Sequence, residues 1–571
     1  AIAIECVNGG IGLQISSQKA VFSSEQTTID TRFKEEERVR ISFVVEKRTL
    51  NRLIYIYING IMSGAAQYPS EDNFQQKVPQ DIVIGSEGCT IDLYNIRVYD
   101  NDLNQYQMLD NFIGDLDDYD KALAIYNRNQ VYNDYGDITY QKVLERLPCL
   151  IFEGPLPTYK GDKKTNKVYF TDLQEPGRSF SCENVQNDVQ GTSSQYYPRK
   201  NWKFKFKADI TYTESGRTSP TYALRADSIP VNAFCVKADF AESSGTHNTG
   251  MAKVINSLLI EMGLTTPPQK TDKEVRTTVD GYPIAIFHRE TASDTLEFVG
   301  KYNFNNDKST AETFGFSDGD ESWEFSNNTS DRCLFKSADF SGTDWMNDFE
   351  SRYPDDDAIN AEYEAGTRKP EKLMAVTSWV VSTKDNLDKF KNEVRNHFNL
   401  DNLIAYYLIT ELFGMVDQRA KNMFLTYFHE EGKWIFIFYD NDTCFGLNNE
   451  GLIAFGYNIE YHDKIGTLNV WNGESSVLWN NLEKCFPSEI EAMYKDIRTR
   501  GLLSYDLIMS VLNGEQSDKW CEAIYNADGR FKYIDPLIEE GNGSYLYAAQ
   551  GSRIENRKWW TYNRFLYIDS K

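Results

Sequence analysis

A predicted β-hairpin with acidic residues at both of its ends constrains this chain more than any other feature. Residues 412–446 read LFGMVDQRAKNMFLTYFHEEGKWIFIFYDNDTCFG, with two alternating apolar runs around a Glu-Glu-Gly turn. Asp417 and Asn422 precede the first run, and Asp440 and Asp442 follow the second. Because a hairpin brings its two strand ends together, we expect these four side chains to converge at its mouth. Several hard oxygen ligands at one point are what a magnesium–phosphate site requires.

The spacing of these residues is that of a phosphoryl-transfer site. In protein kinases a catalytic-loop Asp is followed five residues on by a metal-binding Asn, and a second metal-binding Asp opens a D-F-G-like segment beyond the next strands. Asp417 and Asn422 have the first spacing, and the segment that starts at Asp440 reads DNDTCFG. An ordinary helix cap, strand start and turn remain the alternative for each residue taken alone.

The length and net charge of the chain limit its number of domains and its main partners. A chain of 571 residues predicts two to four domains. The net charge of −25 argues against nucleic acid and anionic membranes as main partners. No run of eighteen apolar residues exists, so we expect no membrane span.

The cysteine and histidine patterns give no support to several common kinds of site. The nine cysteines include no C-x-x-C pair, which favours reduced, buried thiols and folding in a reducing cytoplasm. The five histidines form no H-E-x-x-H motif, and no G-x-S-x-G sequence supports a nucleophilic serine. The sequence therefore favours neither a zinc site nor a serine hydrolase.

The first 112 residues predict an antiparallel β-sandwich, because short alternating strands are separated by tight turns. This part resembles the back half of a laminin-G or concanavalin-like jelly roll. Such modules bind glycans or make architectural contacts, and both roles stay open because no clear calcium ligand set is present. The predicted strands are Arg40–Glu46, Leu53–Asn59, Asp81–Gly85 and Ile91–Tyr99.

The rest of the chain predicts a helical acidic linker and a second, larger domain. Residues 113–146 carry a helical stripe in an Asp-rich and Asn-rich segment, and residues 147–571 have an α+β pattern. We interpret the long polar and acidic stretch around 303–380 as a surface insertion. The chain starts without Met and ends in a strand-like run, so we expect both ends to be cuts in a longer polypeptide.

One strand of the second domain carries a candidate phosphate-binding lysine. Lys203, Lys205 and Lys207 alternate with two Phe residues and therefore share one face. The strand follows a small polar turn, QGTSS, whose backbone N–H groups are suited to an anion. A strand lysine holds the nucleotide phosphates in kinase-like folds. A solvated strand face is the alternative.

Four blocks of the second domain, in order, resemble the spore coat protein H (CotH) kinase family, which has an atypical protein-kinase-like fold. Residues 190–206 resemble its R-G-N-S-S…P-K-K…I-K-F block, residues 251–263 its helix, and residues 279–290 its N-G-x-Y-x-G-x-Y-x-x-x-E strand. Residues 418–446 resemble its closing K-N-F…G-K-W…P-W-D-x-D-x-x-F-G segment. The resemblance covers roughly residues 147–571 and implies binding of Mg²⁺ and ATP.

For the closing block, the resemblance implies a role for each acidic or amide residue. Asp417 corresponds to the catalytic-loop Asp, and Asn422 and Asp440 correspond to metal ligands. Asp442 corresponds to the second Asp of W-D-x-D and adds a further ligand. The Trp of that motif is Tyr439 here, a mild departure.

For the first and third blocks, the resemblance implies nucleotide-binding residues. Lys205 corresponds to the lysine of I-K-F and would face the phosphates, and Glu290 corresponds to its acidic partner. Lys200 corresponds to the second Lys of P-K-K. The Arg-Gly-Asn start of the block is Gln-Gly-Thr here, which removes the family's Arg and Asn from that turn.

The combination of this domain with a laminin-G-like module resembles the CotH-like proteins of tailed bacteriophages. That resemblance implies a tail, baseplate or head-decoration component, folded in the host cytoplasm and displayed on the exterior of the virion. Its partners would be other virion subunits, copies of itself and a host-surface glycan. Two functions follow: an atypical protein kinase that phosphorylates protein hydroxyls, or an inactive structural or adhesion protein that keeps the fold as a scaffold.

Overall fold

The computed structural model describes residues 139–191, 194–196, 199–239, 246–416, 418–447, 457–459, 473, 475–514 and 554–571, together with the backbone of the strands named below before residue 139. Among these residues, no helix has the length and apolarity needed to cross a membrane.

In the part of the chain before residue 85 that the structure describes, seven strands form two sheets. One has the order β3-β2-β1-β7 and the other the order β4-β5-β6. The pairs are antiparallel except for β1 and β7, which run parallel from Ile2↔Ile82, so this part is not purely antiparallel as expected. The predicted strand at 91–99 and most of the linker at 113–146 lie outside the described residues, and the laminin-G-like sandwich stays a prediction. The strands are β1 Ile2–Val7, β2 Gly10–Ile15, β3 Gln26–Ile29, β4 Ile41–Lys47, β5 Asn51–Ile58, β6 Ile61–Pro69 and β7 Ile82–Ile84.

The next part of the chain forms a barrel-like sheet of seven strands. Its order is β11-β14-β16-β15-β8-β9-β10, and β10 pairs with β11 to close it. All neighbours are antiparallel except β8 and β15. Two short strands, β12 and β13, extend from β10. The elements are α1 Tyr140–Leu144, β8 Cys149–Glu153, β9 Lys164–Thr171, β10 Phe180–Gln190, β11 Asn201–Phe206, β12 Ile210–Tyr212, β13 Thr218–Ser219, β14 Ala233–Lys237, α2 His247–Glu261, α3 Pro267–Thr271, β15 Gly281–Arg289 and β16 Glu297–Asn306.

Alternation of side chains decides what lies inside this barrel and what lies outside. Phe204, Phe234 and Phe304 lie on three neighbouring strands, with ring centroids 5.1 to 5.8 Å apart, and all are fully buried. Successive strand residues point to opposite faces, so Lys203 and Lys205 lie on the outer face. The interior of the barrel is therefore lined with aromatic side chains, and the lysines of β11 lie on its outer surface.

A second sheet, with the order β18-β17-β19-β20, contains the predicted hairpin. Its two long strands pair from Met423↔Phe438 to Phe428↔Lys433, as the alternation predicted. The elements after the barrel are α4 Ala311–Phe314, β17 Glu321–Phe325, β18 Phe349–Tyr353, α5 Asp357–Glu364, α6 Glu371–Ser382, α7 Leu387–His397, α8 Leu400–Leu412, β19 Met423–Phe428, β20 Lys433–Phe438, α9 Val477–Cys485, α10 Pro487–Thr499, α11 Tyr505–Gly514 and α12 Ile554–Asp569.

Helix α8 supports the hairpin from its buried side. Most of its side chains are buried, as expected for a helix that is apolar all round. Asn402 accepts a hydrogen bond from the Phe436 backbone N–H at 2.8 Å, and Tyr406 stacks on Phe438 with centroids 4.2 Å apart. Gly414, at φ 57°, then turns the chain from the helix toward the hairpin.

The structure corrects the expected surface insertion at 303–380. Residues 303–306 end the barrel strand β16, and β17 and β18 pair within the hairpin sheet. Trp323, Phe325 and Trp345 are at most 1% exposed. The many Asp and Ser residues give the segment the composition of a surface loop. Its packing depends instead on a few large aromatic side chains, which are buried.

Candidate functional site

The mouth of the hairpin brings together two of the predicted metal ligands. Asn422 directly precedes β19 and Asp440 lies two residues beyond the end of β20, so both are at the same end of the paired strands. Gln418 fixes this end, because its amide nitrogen donates to the backbone carbonyls of Tyr439 at 2.7 Å and Asp440 at 2.9 Å. Asp417, one residue before Gln418, lies outside the described residues.

A lysine of the barrel contacts this mouth. The ammonium of Lys237, the last residue of β14, lies 2.5 Å from Asp440 Oδ1. Asn248, in the first turn of α2, donates to the same carboxylate oxygen at 3.4 Å and accepts from the Asn441 backbone N–H at 3.1 Å. Barrel, helix and hairpin therefore meet at Asp440, and we call Lys237, Asn248, Asp440 and Asn422 the Asp440 site.

The electrostatics of the site depend on the ion pair. The Lys237 side chain is 7% exposed and that of Asp440 is 27% exposed. Burial alone lowers the pKa of the Lys237 ammonium, but the Asp440 carboxylate and the neighbouring Tyr439 and Asp239 hold that pKa well above its ordinary value. Lys237 is therefore a permanent buried cation, which a phosphate would also neutralise.

The Tyr439 ring contacts this cation and a second one. The Nζ atoms of Lys237 and Lys308 lie 4.6 and 4.7 Å from the centroid of the Tyr439 ring. Lys308 is 2.7 Å from Glu324, whose carboxylate also lies 2.5 Å from Arg352 Nε. The cations Lys308 and Arg352 beside the site are thus paired with Glu324 of the hairpin sheet.

The backbone at the site is unusual. Five non-glycine residues of the described part have positive φ, and Asp239, Asn422, Asp440 and Phe445 are four of them. Their φ values lie between 41° and 59°, a region that costs L-residues free energy. Such conformations persist where the surrounding structure imposes them, and they cluster at functional sites.

Two predicted nucleotide-binding residues lie elsewhere. Lys205 is exposed on the outer face of β11, opposite Ala233. Glu290 is exposed after the end of β15, and its carboxylate lies 3.8 Å from the His288 ring. No described hydrogen bond or ion pair joins Lys205 to Glu290, and their shared role at the phosphates stays a prediction.

Two further predicted site residues, Lys200 and Asp442, are partly buried. Lys200 donates from Nζ to the Gln195 backbone carbonyl at 2.7 Å, and burial lowers its pKa. Asp442 is partly exposed, two residues after Asp440. The roles of both residues stay predictions.

Lys237 and Asn248 were missed by sequence reasoning. The signal for Lys237 was a charged residue at the end of the strand AFCVK, all of whose residues are buried, since a buried charge requires a partner. Its partner is 203 residues away in the sequence, and local spacing carries no information over that distance.

The donor set fits a magnesium–nucleotide complex better than a protein-only metal cage. Within the described residues, no group of three His, Cys, Asp or Glu side chains is placed to hold a metal ion. Magnesium, however, usually binds one or two carboxylates and completes its shell with water and substrate phosphates. Asn303 Oδ1, Asn441 Oδ1 and Thr443 Oγ1 are buried around the site without a protein partner, so polar groups remain for a ligand or its water.

Comparison with known proteins supports the part of the family resemblance that covers the hairpin, residues 418–446. No curated protein matches the sequence. Residues 306–504 match the family described as CotH kinase protein, a range that includes Asn422 and Asp440 but not Lys237 and Asn248. The chain therefore contains a CotH-like domain, to which the barrel adds a lysine from outside the matched range.

Proposed function

We propose that the Asp440 site binds a nucleoside triphosphate with Mg²⁺ and that the chain is an atypical protein kinase acting on protein hydroxyls. The observation that carries this proposal is the contact of Lys237 and Asn248 with Asp440 at the hairpin mouth. It combines a fixed cation for phosphate oxygens with hard oxygen ligands for a metal.

Each described residue has a distinct role in this proposal. Lys237 donates to phosphate oxygens, because its ammonium stays charged and is held by the barrel strand. Asp440 and Asn422 hold the magnesium, with Asp442 as a further ligand. Magnesium, when bound, neutralises the charge of the phosphates. Asn248 holds the Asp440 loop against the first turn of α2.

The acceptor hydroxyl is oriented by Asp417 in this proposal. Gln418, fully buried, ties its own position to the backbone of Tyr439 and Asp440, and Tyr406 donates to the Gln418 carbonyl at 2.6 Å. Gln418 is therefore held against the backbone of Asp440. Catalysis would consist of positioning and charge neutralisation.

Magnesium-dependent ATP binding and autophosphorylation test the proposal. We expect wild-type protein to bind ATP with Mg²⁺ and to incorporate labelled phosphate. Asp440→Asn removes a metal ligand and should abolish both activities. Asp417→Asn should abolish transfer while binding persists. Transfer that is unchanged in both variants would contradict the proposal.

A scaffold without activity is the second candidate, and one observation favours it. Asp440 is already neutralised by Lys237 at 2.5 Å, so the fold does not need a metal to hold this carboxylate. In this alternative, which the resemblance to phage proteins would place on a virion, the N-terminal module contacts glycans or subunits. It requires that ATP and Mg²⁺ leave the melting temperature of the wild type unchanged.

A further inference from the structure

The C-terminal helix α12 contacts three segments around the Asp440 site, namely the start of α2, the loop that follows Asp440 and the end of α8. It lies beyond the residues matched to the CotH family. Arg557, Trp560 and Arg564 are spaced three and four residues apart, so they lie along one face of the helix. All three are at most 2% exposed. Leu566 and Tyr562, by contrast, are more than half exposed.

Arg557 contacts the start of α2. Its Nη1 donates to Thr246 Oγ1 at 2.8 Å, and both side chains are fully buried. Thr246 is the N-cap residue of α2, but its hydroxyl makes no capping hydrogen bond to that helix. Arg557 therefore holds the turn that presents Asn248 to Asp440.

Trp560 contacts the two segments that flank the hairpin. Its ring lies 6.1 Å from that of Phe445, near the end of the Asp440 loop. A Cβ atom added to Gly414 would lie 3.1 Å from Trp560 Cζ2, so the indole lies directly against the turn after α8. The ring thus packs between the segment before Asp417 and the segment after Asp440.

Arg564 contacts the end of α8. It donates to the Glu411 backbone carbonyl at 2.6 Å, and its guanidinium lies 3.3 Å from the Glu411 carboxylate. The same carboxylate lies 2.7 Å from Arg419, the residue after Gln418. One face of α12 therefore reaches the α2 turn, the Asp440 loop and the loop that contains Gln418.

We propose that α12 is a positioning element of the Asp440 site, with Arg557 holding the α2 turn and Trp560 holding the Asp440 loop. Loss of these contacts should open the loop locally while the barrel and the hairpin sheet stay folded. The proposal concerns the conformation of the site, and only its second test below rests on the proposed nucleotide binding.

Thiol labelling of the ligand-free full chain measures the opening directly. Cys444, beside Phe445, is fully buried, and Cys182 in the barrel and Cys333 beside the hairpin sheet are buried as well. We expect Arg557→Met to speed labelling of Cys444 about tenfold, because a hydrogen bond from a charged group is strong enough to change a local opening equilibrium by that factor. Peptide mass spectrometry then compares Cys444 with Cys182 and Cys333, which should keep wild-type rates.

Three further variants separate positioning from general stability. Thr246→Val removes only the acceptor hydroxyl and should also speed Cys444 labelling selectively. Arg557→Lys keeps the cation and should restore part of the protection. Leu566→Ala, on the exposed face of α12, should leave every rate unchanged. Equal acceleration of all three cysteines in both Arg557→Met and Thr246→Val, or no acceleration in either, would overturn the proposal.

Nucleotide binding provides the second test. If wild-type protein binds ATP with Mg²⁺, Arg557→Met should weaken binding while Leu566→Ala should not. Wild-type protein that binds no ATP contradicts the proposed function but leaves the labelling result to decide the role of α12. Selective Cys444 opening with unchanged ATP affinity would overturn the positioning role.

Discussion

The barrel and the hairpin sheet meet at the Asp440 site but bury different kinds of side chain. The barrel interior is aromatic, and its charged residues, including Lys203 and Lys237, lie on its outer face. The hairpin sheet buries Glu324 and Arg352, which form an ionic cluster with the partly buried Lys308. This difference indicates that Lys237 of the barrel depends for its neutralisation on Asp440, which follows the last strand of the hairpin sheet.

The largest effect should come from removing that carboxylate. Asp440→Ala leaves the Lys237 ammonium buried without its partner, and we expect the free energy of unfolding to fall by about 3–5 kcal/mol. Urea unfolding measures this loss. Asp385→Ala, at an exposed position, is the control and should change stability by no more than about 0.5 kcal/mol. Equal effects of the two substitutions would show that the barrel does not depend on the hairpin for neutralisation.

Breaking the ionic cluster should have the next largest effect. Burial alone raises the pKa of Glu324, but Arg352 and Lys308 outweigh it and lower that pKa to about 2. The folded pKa is thus below the unfolded value of 4.5, so the stabilisation is present above that value and is lost as the pH falls toward about 2. We expect Glu324→Gln to cost about 3 kcal/mol at pH 7, with the difference from wild type shrinking below pH 4.5.

Glu290→Gln is the matched control for this cluster, because the Glu290 side chain is 63% exposed. It should change the free energy of unfolding by no more than about 0.5 kcal/mol at either pH. A pH-independent loss in Glu324→Gln would contradict the assignment of the stabilisation to the ionised carboxylate.

Two barrel lysines distinguish two possible nucleotide sites. Lys205 belongs to the site predicted from the sequence, and Lys237 belongs to the Asp440 site. If the proposed function holds, Lys237→Met should weaken magnesium-dependent ATP binding at least about tenfold, or about 1.4 kcal/mol. Lys205→Met should leave it unchanged, because Lys205 is exposed and is not among the described contacts of Asp440. Calorimetric titration of both variants measures the affinities. A larger loss of ATP affinity in Lys205→Met than in Lys237→Met would instead support Lys205 as the phosphate-binding lysine, as the family resemblance implies.

The smallest effect concerns Lys253 on α2, the helix that carries Asn248. Burial, followed by Arg225, lowers the pKa of Lys253 to about 8. Because this is below the unfolded value of 10.5, the charged lysine destabilises the fold below about pH 8, and this cost is relieved as the pH rises toward 10.5. Lys253→Met should therefore stabilise the protein by about 1 kcal/mol at pH 7.

Urea unfolding at pH 7 and pH 10 checks the sign for Lys253. The gain should shrink at pH 10, whereas the exposed control Lys391→Met should show no gain at either pH. A gain of the same size at both pH values would mean that packing of the methionine, and not the lysine charge, is responsible.

Local patterns predicted the elements that carry most of the site. The apolar alternation around Glu430-Glu431-Gly432 predicted the hairpin, and its register places Asn422 and Asp440 at one end. The alternation in β11 predicted that Lys203 and Lys205 share a face. These predictions succeeded because strand pairing across a short turn follows from neighbouring residues.

The sequence by itself therefore determined the hairpin, the placement of Asn422 and Asp440 at its mouth, and the resemblance to a CotH-like domain. Only the tertiary structure decided which lysine meets Asp440, because closure of the barrel and packing of α2 bring Lys237 and Asn248 across about 200 residues of chain to the hairpin. The alternation rule identifies the face of a strand but not the element that covers it. That choice depends on long-range packing, in which a buried charge has to find its partner.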